Sequence, residues 1–173
     1  MQNITSANFG TVIAYLVPGL TAVLGASQFS TALQGWLAAT PPNAPTVGGF
    51  LYLTIVSLAA GMTVSALRWA TIDRLHSKTG LAMPRLDFAK LAANAEAFGL
   101  LIRIHYEHYQ FYANMFVSTA FAYVCYRIRL GHEGPAWLET GFIVIELIFY
   151  VTSRDTLRKY YSRSEQLLGV LRN

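Results

Sequence analysis

The sequence predicts an all-α membrane protein with four transmembrane helices, a helical connector between the second and third, and a helical C-terminal extension. Hydrophobic residues make up 54% of its 173 residues and charged residues 13%, whereas a soluble domain carries about 25% charged residues. Arg68 is the first charged side chain in the chain. Long apolar stretches lie on both sides of it, which indicates one multi-pass domain spanning residues 1–173.

The first span is predicted at about residues 9–33, and Pro18 and Gly19 lie in its middle. Proline lacks an N–H and crowds the preceding helical turn, so we expect a kink or a local opening there. We count both residues among those that pack helices together. Residues 38–46 follow, and the three prolines in this segment predict a loop.

The second span, at about residues 49–69, carries a strip of small side chains on one face. Ser57, Gly61 and Ser65 recur at every fourth residue and so form one narrow line along the helix. In lipid such a strip lets two helices approach closely, because association there depends on packing rather than on the hydrophobic effect. We therefore expect the other spans to pack against this helix, and we expect the strips to find partners in a homo-oligomer.

The connector, residues 70–110, is predicted to be helical and to lie in the cytoplasm. The pattern of the second span continues to about Lys78, and Gly80 is a stop signal. Apolar residues resume at helical spacing from about Asp87, whose carboxylate suits the positive end of a helix dipole. These signals predict a helical hairpin outside the bilayer.

The third and fourth spans are predicted at about residues 111–126 and 136–151, with a short turn between them. Asn114 and Ser118 begin a second strip of small or polar residues at four-residue steps. No stop signal ends the fourth span, and the tail, residues 152–173, continues in helical register. A continuous helix through the fourth span and the tail is longer than the hydrocarbon core, which is about 30 Å thick, so its last turns must lie outside the core.

Lysine and arginine are sorted to one side of this arrangement. Arg127 and Arg129 lie between the third and fourth spans, and the other basic residues lie in or next to the connector or in the tail. The positive-inside rule then places the connector and both termini in the cytoplasm. We therefore expect a multi-pass protein of the bacterial inner membrane.

Glu146 is the first candidate for function, because it lies in the middle of the fourth span among large apolar residues. An ionised carboxylate there is costly, so it should face protein or water, form a pair, or stay protonated. One interpretation is a hydrogen bond to Ser57, Ser118 or Thr119 on a neighbouring span. The alternatives are an ion or proton path, which the carboxylate would line in a ring of copies, and a role in binding a partner.

Glu139, Asn114 and Ser118 are candidates of the same kind, as buried polar or path-lining residues. Glu139 precedes Glu146 by seven residues, so both point to one face of a helix. Near the outer surface, the simplest role for Glu139 is an ion pair with an arginine of the neighbouring turn, which contributes little to stability.

His105 and His108 stand three residues apart on one predicted helix, a spacing that zinc ligands also use. Further ligands are missing nearby, so we expect no metal and interpret the two as interfacial histidines. The aromatic residues around them predict a membrane-interface belt, and a stacking platform for a nucleotide next to Arg103 is the alternative. These aromatic residues are Tyr106, Tyr109, Phe111 and Tyr112.

The basic tail has three interpretations. The first is contact with anionic membrane lipids, and the second is a bundled contact between protomers through an apolar stripe. The third is docking of a soluble cytoplasmic protein; we expect no nucleic-acid binding, because no motif for it is present. The stripe is Leu157, Tyr161, Ser164, Leu168 and Leu171, and the cationic contact residues are Arg103, Arg154, Arg158, Lys159 and Arg163.

The usual catalytic signatures do not occur in the sequence. We find no phosphate-binding glycine loop, no nucleophile elbow, no metalloprotease histidine pair and no cysteine ligand pairs. We therefore expect no cofactor and consider an enzyme the weakest of three hypotheses. In that hypothesis His105, Glu107 and His108 would act on lipid at the membrane interface.

The layout of four short spans with a charged cytoplasmic hairpin and tail resembles that of small membrane components of bacterial anti-phage systems. In those proteins a cytoplasmic event triggers membrane disruption or releases a partner. The resemblance covers no particular stretch of sequence, so no residue roles follow from it. It implies an effector or sensor.

The leading hypothesis from the sequence is an oligomeric inner-membrane protein whose cytoplasmic helices sense or bind a ligand or partner. Its spans would respond, as a channel-like path near Glu146. An accessory or scaffold subunit that recruits a soluble protein through the connector and tail is the alternative.

Overall fold

Among the residues that it describes, the computed structural model is 92% helical and contains no strand. It describes residues 6–37, 47–131 and 136–169. The predicted loop at 38–46 lies outside these residues, as do positions 132–135 of the predicted turn and 170–173 of the predicted tail. The predicted all-α fold class is confirmed.

Seven α-helices follow one another in this part of the chain. Short turns of other helical types lie beside several of them, and residues 79–87 are not helical. The α-helices are α1 Ser6–Ala26, α2 Thr31–Leu37, α3 Val47–Arg68, α4 Arg74–Lys78, α5 Leu91–Leu101, α6 Glu107–Leu130 and α7 Ala136–Leu168. The turns are 3₁₀-helical at Ser27–Phe29 and Phe88–Lys90 and π-helical at Trp69–Asp73 and Ile102–Tyr106.

Two helical stretches of the described residues, Val12–Phe29 and Val47–Lys78, are long and apolar enough to cross a membrane. The predicted third and fourth spans fall in α6 and α7. By the same measure these two helices are less apolar, because charged residues lie within or beside their apolar stretches. Composition and length alone therefore support two candidate spans.

The predicted first span is divided between α1 and α2. Pro18, where we expected a kink, lies inside α1, which continues to Ala26. The helical stretch is interrupted later, at Ser30, whose extended backbone has φ −132° and ψ 111°.

α1 and α6 are the helices with two extensive neighbours. α1 packs along α3 and along α6, and α7 packs against α6. We expected the other spans to pack against α3, and that expectation is wrong. The physical reason is that glycines on α1 let α3 and α6 approach its backbone closely from two sides.

The backbones of α1 and α3 touch where Gly19 meets Ser57 and Gly61. A Cβ atom on Gly19 would collide with the carbonyl oxygen of Ser57 and would lie 2.6 Å from the backbone nitrogen of Gly61. A Cβ atom on Gly61 would collide in turn with the carbonyl oxygen of Tyr15. The small-residue strip of α3 is therefore occupied within the chain, with Ser65 half-buried at its end.

Asn114 on α6 supplies a hydrogen bond that Pro18 removes from α1. Because proline has no N–H, the carbonyl oxygen of Ala14 lacks the donor that an α-helix provides four residues later. The Nδ2 group of Asn114 donates to that oxygen at 3.0 Å, and Asn114 is fully buried. Side chains of neighbouring helices are a common way to satisfy such carbonyls in membrane helices.

The strip on α6 continues along α1 beyond this bond. A Cβ atom on Gly25 would lie 2.7 Å from the Cα atom of Ala122. Ser118, which lies midway between Asn114 and Ala122, is fully buried. Both small-residue strips thus find their partner in α1 of the same chain, so they no longer argue for a homo-oligomer.

The end of α7 folds onto the connector. Residues 152–168 pack on α5 and on the π turn Ile102–Tyr106, and the backbone N–H of Asp87 donates to the carbonyl of Gly169 at 3.1 Å. The predicted stripe between protomers is therefore wrong, because its described apolar members are covered within the chain. The buried members are Leu157, Ser164 and Leu168. We call residues 69–106 and 152–169 the connector unit, and α1, α3, α6 and residues 136–151 the bundle.

Replacing Asn114 by leucine should lower the free energy of unfolding, because the Ala14 carbonyl then has no donor. We expect a loss of about 1–2 kcal/mol, as for other side-chain hydrogen bonds between membrane helices. In a Pro18→Ala background the loss should be smaller, because the alanine N–H restores the bond within α1. Unfolding of the four proteins in detergent measures this coupling, and equal losses in both backgrounds would contradict it.

Candidate functional site

Glu146 lies at the interface between α7 and α6. The hydroxyl of Thr119 donates to its Oε1 atom. The residue is 9% exposed, and its Oε2 atom has no hydrogen-bond partner among the described residues. Of the three hydroxyls that we considered as partners, the structure places that of Thr119 on this carboxyl; those of Ser57 and Ser118 are buried without a partner in the described part.

An apolar groove of about 410 Å³ lies beside this pair, between α6 and α7. Thr119 lines it, and the rings of Tyr123 and Phe142 stack within it with centroids 3.9 Å apart. Trp137 lines it near the start of α7. The polar pair therefore adjoins a space that is otherwise apolar.

Glu139 has a different partner from Glu146. Its Oε1 atom lies 3.0 Å from Nη1 of Arg127, one of the two arginines that we considered. The other, Arg129, donates to the side-chain oxygen of Gln28 at 3.0 Å, which joins α6 to the end of the first helical stretch. Glu139 and Glu146 therefore have different partners, and the structure does not bring the two carboxylates into one site.

A buried polar cluster that we did not predict lies where α3 passes into the connector unit. Nη1 of Arg68 donates to Oδ1 of Asp73 at 3.2 Å, and the hydroxyl of Tyr109 donates to the same oxygen. The Arg68 guanidinium carbon lies 5.1 Å from the centroid of the Tyr109 ring, within the range of a cation–π contact. Arg68 is 4% exposed and Tyr109 1%. Loss of Asp73 would leave a buried guanidinium without its counterion, which is strongly destabilising.

Two π-helical turns border this cluster, Trp69–Asp73 and Ile102–Tyr106. The first lets Arg68 and Asp73, five residues apart, meet on one side of the helix, because a π turn bonds residues at this spacing. The only hint in the sequence was an arginine at the end of an apolar helix with an aspartate five residues later. Since π turns occur often at functional sites, this junction is a candidate site.

His76 joins the junction to α7. Its Nε2 atom lies 3.2 Å from the hydroxyl oxygen of Ser153, and that hydroxyl donates to the carbonyl of Tyr150. The serine oxygen is therefore the acceptor, and Nε2 of the histidine carries the hydrogen. Both side chains are fully buried, so this contact holds α4 against α7 and is closed to a substrate.

Two of the predicted cationic contact residues are used inside the chain. Arg154 donates to the hydroxyl of Thr79 and, at 2.8 Å, to its carbonyl oxygen. Arg163 lies 2.7 Å from Nε2 of His105. Both arginines therefore fasten α7 to the connector.

The other three predicted contact residues are exposed. Arg158 and Lys159 lie 3.1 Å and 2.6 Å from the carboxylate of Asp155. The hydrogen bond from Lys159 lowers the pKa of that carboxyl. Arg103 lies on the open face of the π turn beside Glu96.

His105 is held as a neutral imidazole. An arginine can only donate, so the Nε2 atom that faces Arg163 must accept. Burial lowers the pKa of His105, and the positive charges of Arg163, Lys159 and His108 lower it further, while Asp155 opposes them. The contact is therefore sensitive to protonation.

Neither the metal nor the belt hypothesis gains a site from the geometry. His108 is exposed, and in the described part no group of three or more His, Cys, Asp or Glu side chains could hold a metal ion. The interface belt is wrong for Tyr109, which is buried in the core, and its ring has no face open to a nucleotide base. Tyr106 packs on Tyr160, with centroids 5.2 Å apart.

No family model, no curated protein and no solved structure matches the chain. Three places in the fold are candidate sites: the Glu146–Thr119 pair, the cluster of Arg68, Asp73 and Tyr109, and the contact of His105 with Arg163.

The stability that the His105 contact supplies should be lost in acid. Because the folded chain lowers the pKa of His105 below its ordinary value of 6.5, the unfolded chain binds the proton first as the pH falls. The contribution is therefore complete above about pH 6.5 and declines as the pH falls through and below that value. Thermal unfolding in detergent between about pH 8 and pH 5 measures it.

In this experiment, His105→Gln should flatten the pH dependence, because an amide oxygen still accepts from Arg163 but does not titrate. His108→Gln, on the exposed neighbour, should leave most of the dependence in place. A profile that His105→Gln does not change would contradict the assignment.

Proposed function

We propose that the chain is a membrane protein of four spans whose connector unit binds a ligand or a soluble partner and passes this event to the spans. The spans are α1, α3, α6 and residues 136–151 of α7. The two candidate spans found from apolarity alone are the basis, and helix packing supports the other two.

The depth of α6 follows from its contacts with α1. Asn114 bonds Ala14, and Ala122 lies against Gly25, so the two helices run side by side for about two to three turns. The stretch of α1 between these contacts lies within the apolar segment Val12–Phe29. If α1 crosses the membrane, α6 lies in the same hydrocarbon.

α7 returns along α6 at the same depth, through the bond of Thr119 to Glu146 and the stacked rings of Tyr123 and Phe142. The outer faces of α3 and α7 expose large apolar side chains over a wide area, which soluble monomers rarely do. These include Phe50, Ile55 and Met62 on α3 and Ile143, Leu147 and Val151 on α7.

The distribution of basic residues supports one orientation. In the described residues, Arg127 and Arg129 lie at the α6–α7 end of the bundle, and the other lysines and arginines lie at the end of α3 or in the connector unit. We propose that the connector unit and both termini lie in the cytoplasm of a bacterial inner membrane.

The observation that carries the proposal is the continuity of helices from the connector unit into the bundle. α3 leads through the π turn Trp69–Asp73 into α4, α5 leads through Ile102–Tyr106 into α6, and α7 runs from Ala136 to Leu168. A displacement of the connector unit therefore moves three spans as rigid elements. The two π turns, with the buried cluster between them, are the places where such a displacement would change helix register.

The response that we propose is a movement of α7 relative to α6 that uncovers Glu146. The carboxyl faces Thr119 on α6, so a path along it opens only when these helices separate. A homo-oligomer would have to use the apolar outer faces of α3 and α7, because the small-residue strips are occupied. An effector role in anti-phage defence extends this proposal and has only the layout of the chain in its support.

The alternative is a scaffold or accessory subunit that recruits a soluble acidic protein. Its support is the exposed cationic set Arg103, Arg158 and Lys159 on the connector unit. This alternative requires no path through the bundle, so ion flux distinguishes the two functions.

Replacing Glu146 by glutamine should reduce cation flux through the full-length protein reconstituted in liposomes. Removing the one carboxylate in the middle of the spans should lower flux by about tenfold or more, because a charge is what makes a cation path favourable at that depth. A potassium-sensitive dye reports the flux, which is compared between wild type and variant at equal protein density.

Glu139→Gln is the matched control, because Glu139 lies on the same helix but pairs with Arg127 at the exposed end. It should retain most of the wild-type flux. Equal flux in wild type and Glu146→Gln would remove Glu146 from the path.

A further inference from the structure

Trp69 and Arg74 form an exposed pair directly after α3. Trp69 is 62% exposed, and the guanidinium carbon of Arg74 lies 5.6 Å from the centroid of its ring. Lys78 follows one turn later on α4 and is also exposed. Neither cation has an ion pair with another described residue, although the chain carries several exposed pairs elsewhere.

The position of this pair along α3 matches the edge of a bilayer. α3 has 22 residues, which gives a helix of about 33 Å, close to the hydrocarbon thickness of about 30 Å. Trp69 is the next residue, and tryptophan prefers the level of the lipid headgroups. On the same outer side, α3 exposes Ile55, Leu58 and Met62 to the surroundings of the acyl chains.

We propose that Trp69, Arg74 and Lys78 bind the phosphate group of an anionic phospholipid in the cytoplasmic leaflet. This inference rests on the proposed function, because it requires α3 to span the membrane. The indole holds the guanidinium by its face and leaves the N–H edge free for two phosphate oxygens. Lys78 adds a second positive charge one turn further from the hydrocarbon.

Charge distinguishes this surface from the basic tail that we first considered for lipid contact. Arg158 and Lys159 share the carboxylate of Asp155, and Arg154 is bonded to Thr79. Arg74 and Lys78 have no acidic partner in the described part, since the adjacent Asp73 is bonded to Arg68 and Tyr109. An anionic headgroup is therefore the complementary occupant of this site.

The first arm of the test places Trp69 in the membrane. Full-length wild type and Trp69→Phe are reconstituted with phosphatidylcholine brominated either near the headgroup or near the chain end. The difference in quenching between the two proteins reports Trp69 alone, and the headgroup-proximal bromine should quench it more. If neither bromine quenches Trp69, the proposed membrane span of α3 fails, and this inference fails with it.

The second arm measures lipid selectivity with spin-labelled phosphatidylglycerol and phosphatidylcholine in the same vesicles. Wild type should prefer phosphatidylglycerol, and Arg74→Gln should reduce that preference by about fivefold, the effect of one cation near an anionic surface. Arg158→Gln, at another exposed arginine that is paired with Asp155, is the control and should change it less. Quenching of Trp69 with unchanged selectivity in Arg74→Gln would overturn the lipid site while leaving the span intact.

Free inorganic phosphate is the other source of the same chemistry. Added at high concentration, it should not displace spin-labelled phosphatidylglycerol from the wild type, because the acyl chains against α3 hold the headgroup in place. Displacement by inorganic phosphate would show a soluble anion site and would contradict the lipid assignment.

Discussion

The contact of α1 with two neighbours at backbone distance is the constraint on which the rest of the structure depends. Gly19 meets Gly61 on α3, and Asn114 on α6 bonds the carbonyl that Pro18 leaves free. Neither contact can slide by a residue without a collision or an unpaired carbonyl, so both neighbours are fixed in depth along α1. Because α6 in turn packs along α7, these contacts also set the position of α7.

The fixed positions of α3 and α6 along α1 bring the polar junction together at the end of the bundle that adjoins the connector unit. With α3 and α6 fixed against α1, Arg68 at the end of one and Tyr109 near the start of the other meet at Asp73. A buried ion pair contributes little net stability, yet breaking it is costly. The cluster therefore ties the end of α3 to the start of α6 at the junction with the connector unit.

Part of this arrangement could be predicted from the spacing of residues along the sequence. Four-residue spacing predicted packing strips at Ser57 with Gly61 and at Asn114 with Ser118, but small residues fit another copy of the chain as well as α1. The aromatic run suggested a belt, whereas Tyr109 lies in the core because a distant Asp73 accepts from it. π turns have no sequence signature of their own. The bonds of Arg154 and Arg163 depend on tertiary folding, so these residues read as free charges in the sequence.

The side of the membrane reached by the α6–α7 end tests the account most directly. Leu130 at that end is 48% exposed, and Cys125 is the buried natural cysteine. In a Cys125→Ser background, Leu130→Cys should react with an impermeant maleimide on intact spheroplasts, and Arg158→Cys only after permeabilisation. If α1 and α3 alone crossed the membrane, both positions would be protected in intact cells. Protection of both positions would therefore contradict four spans.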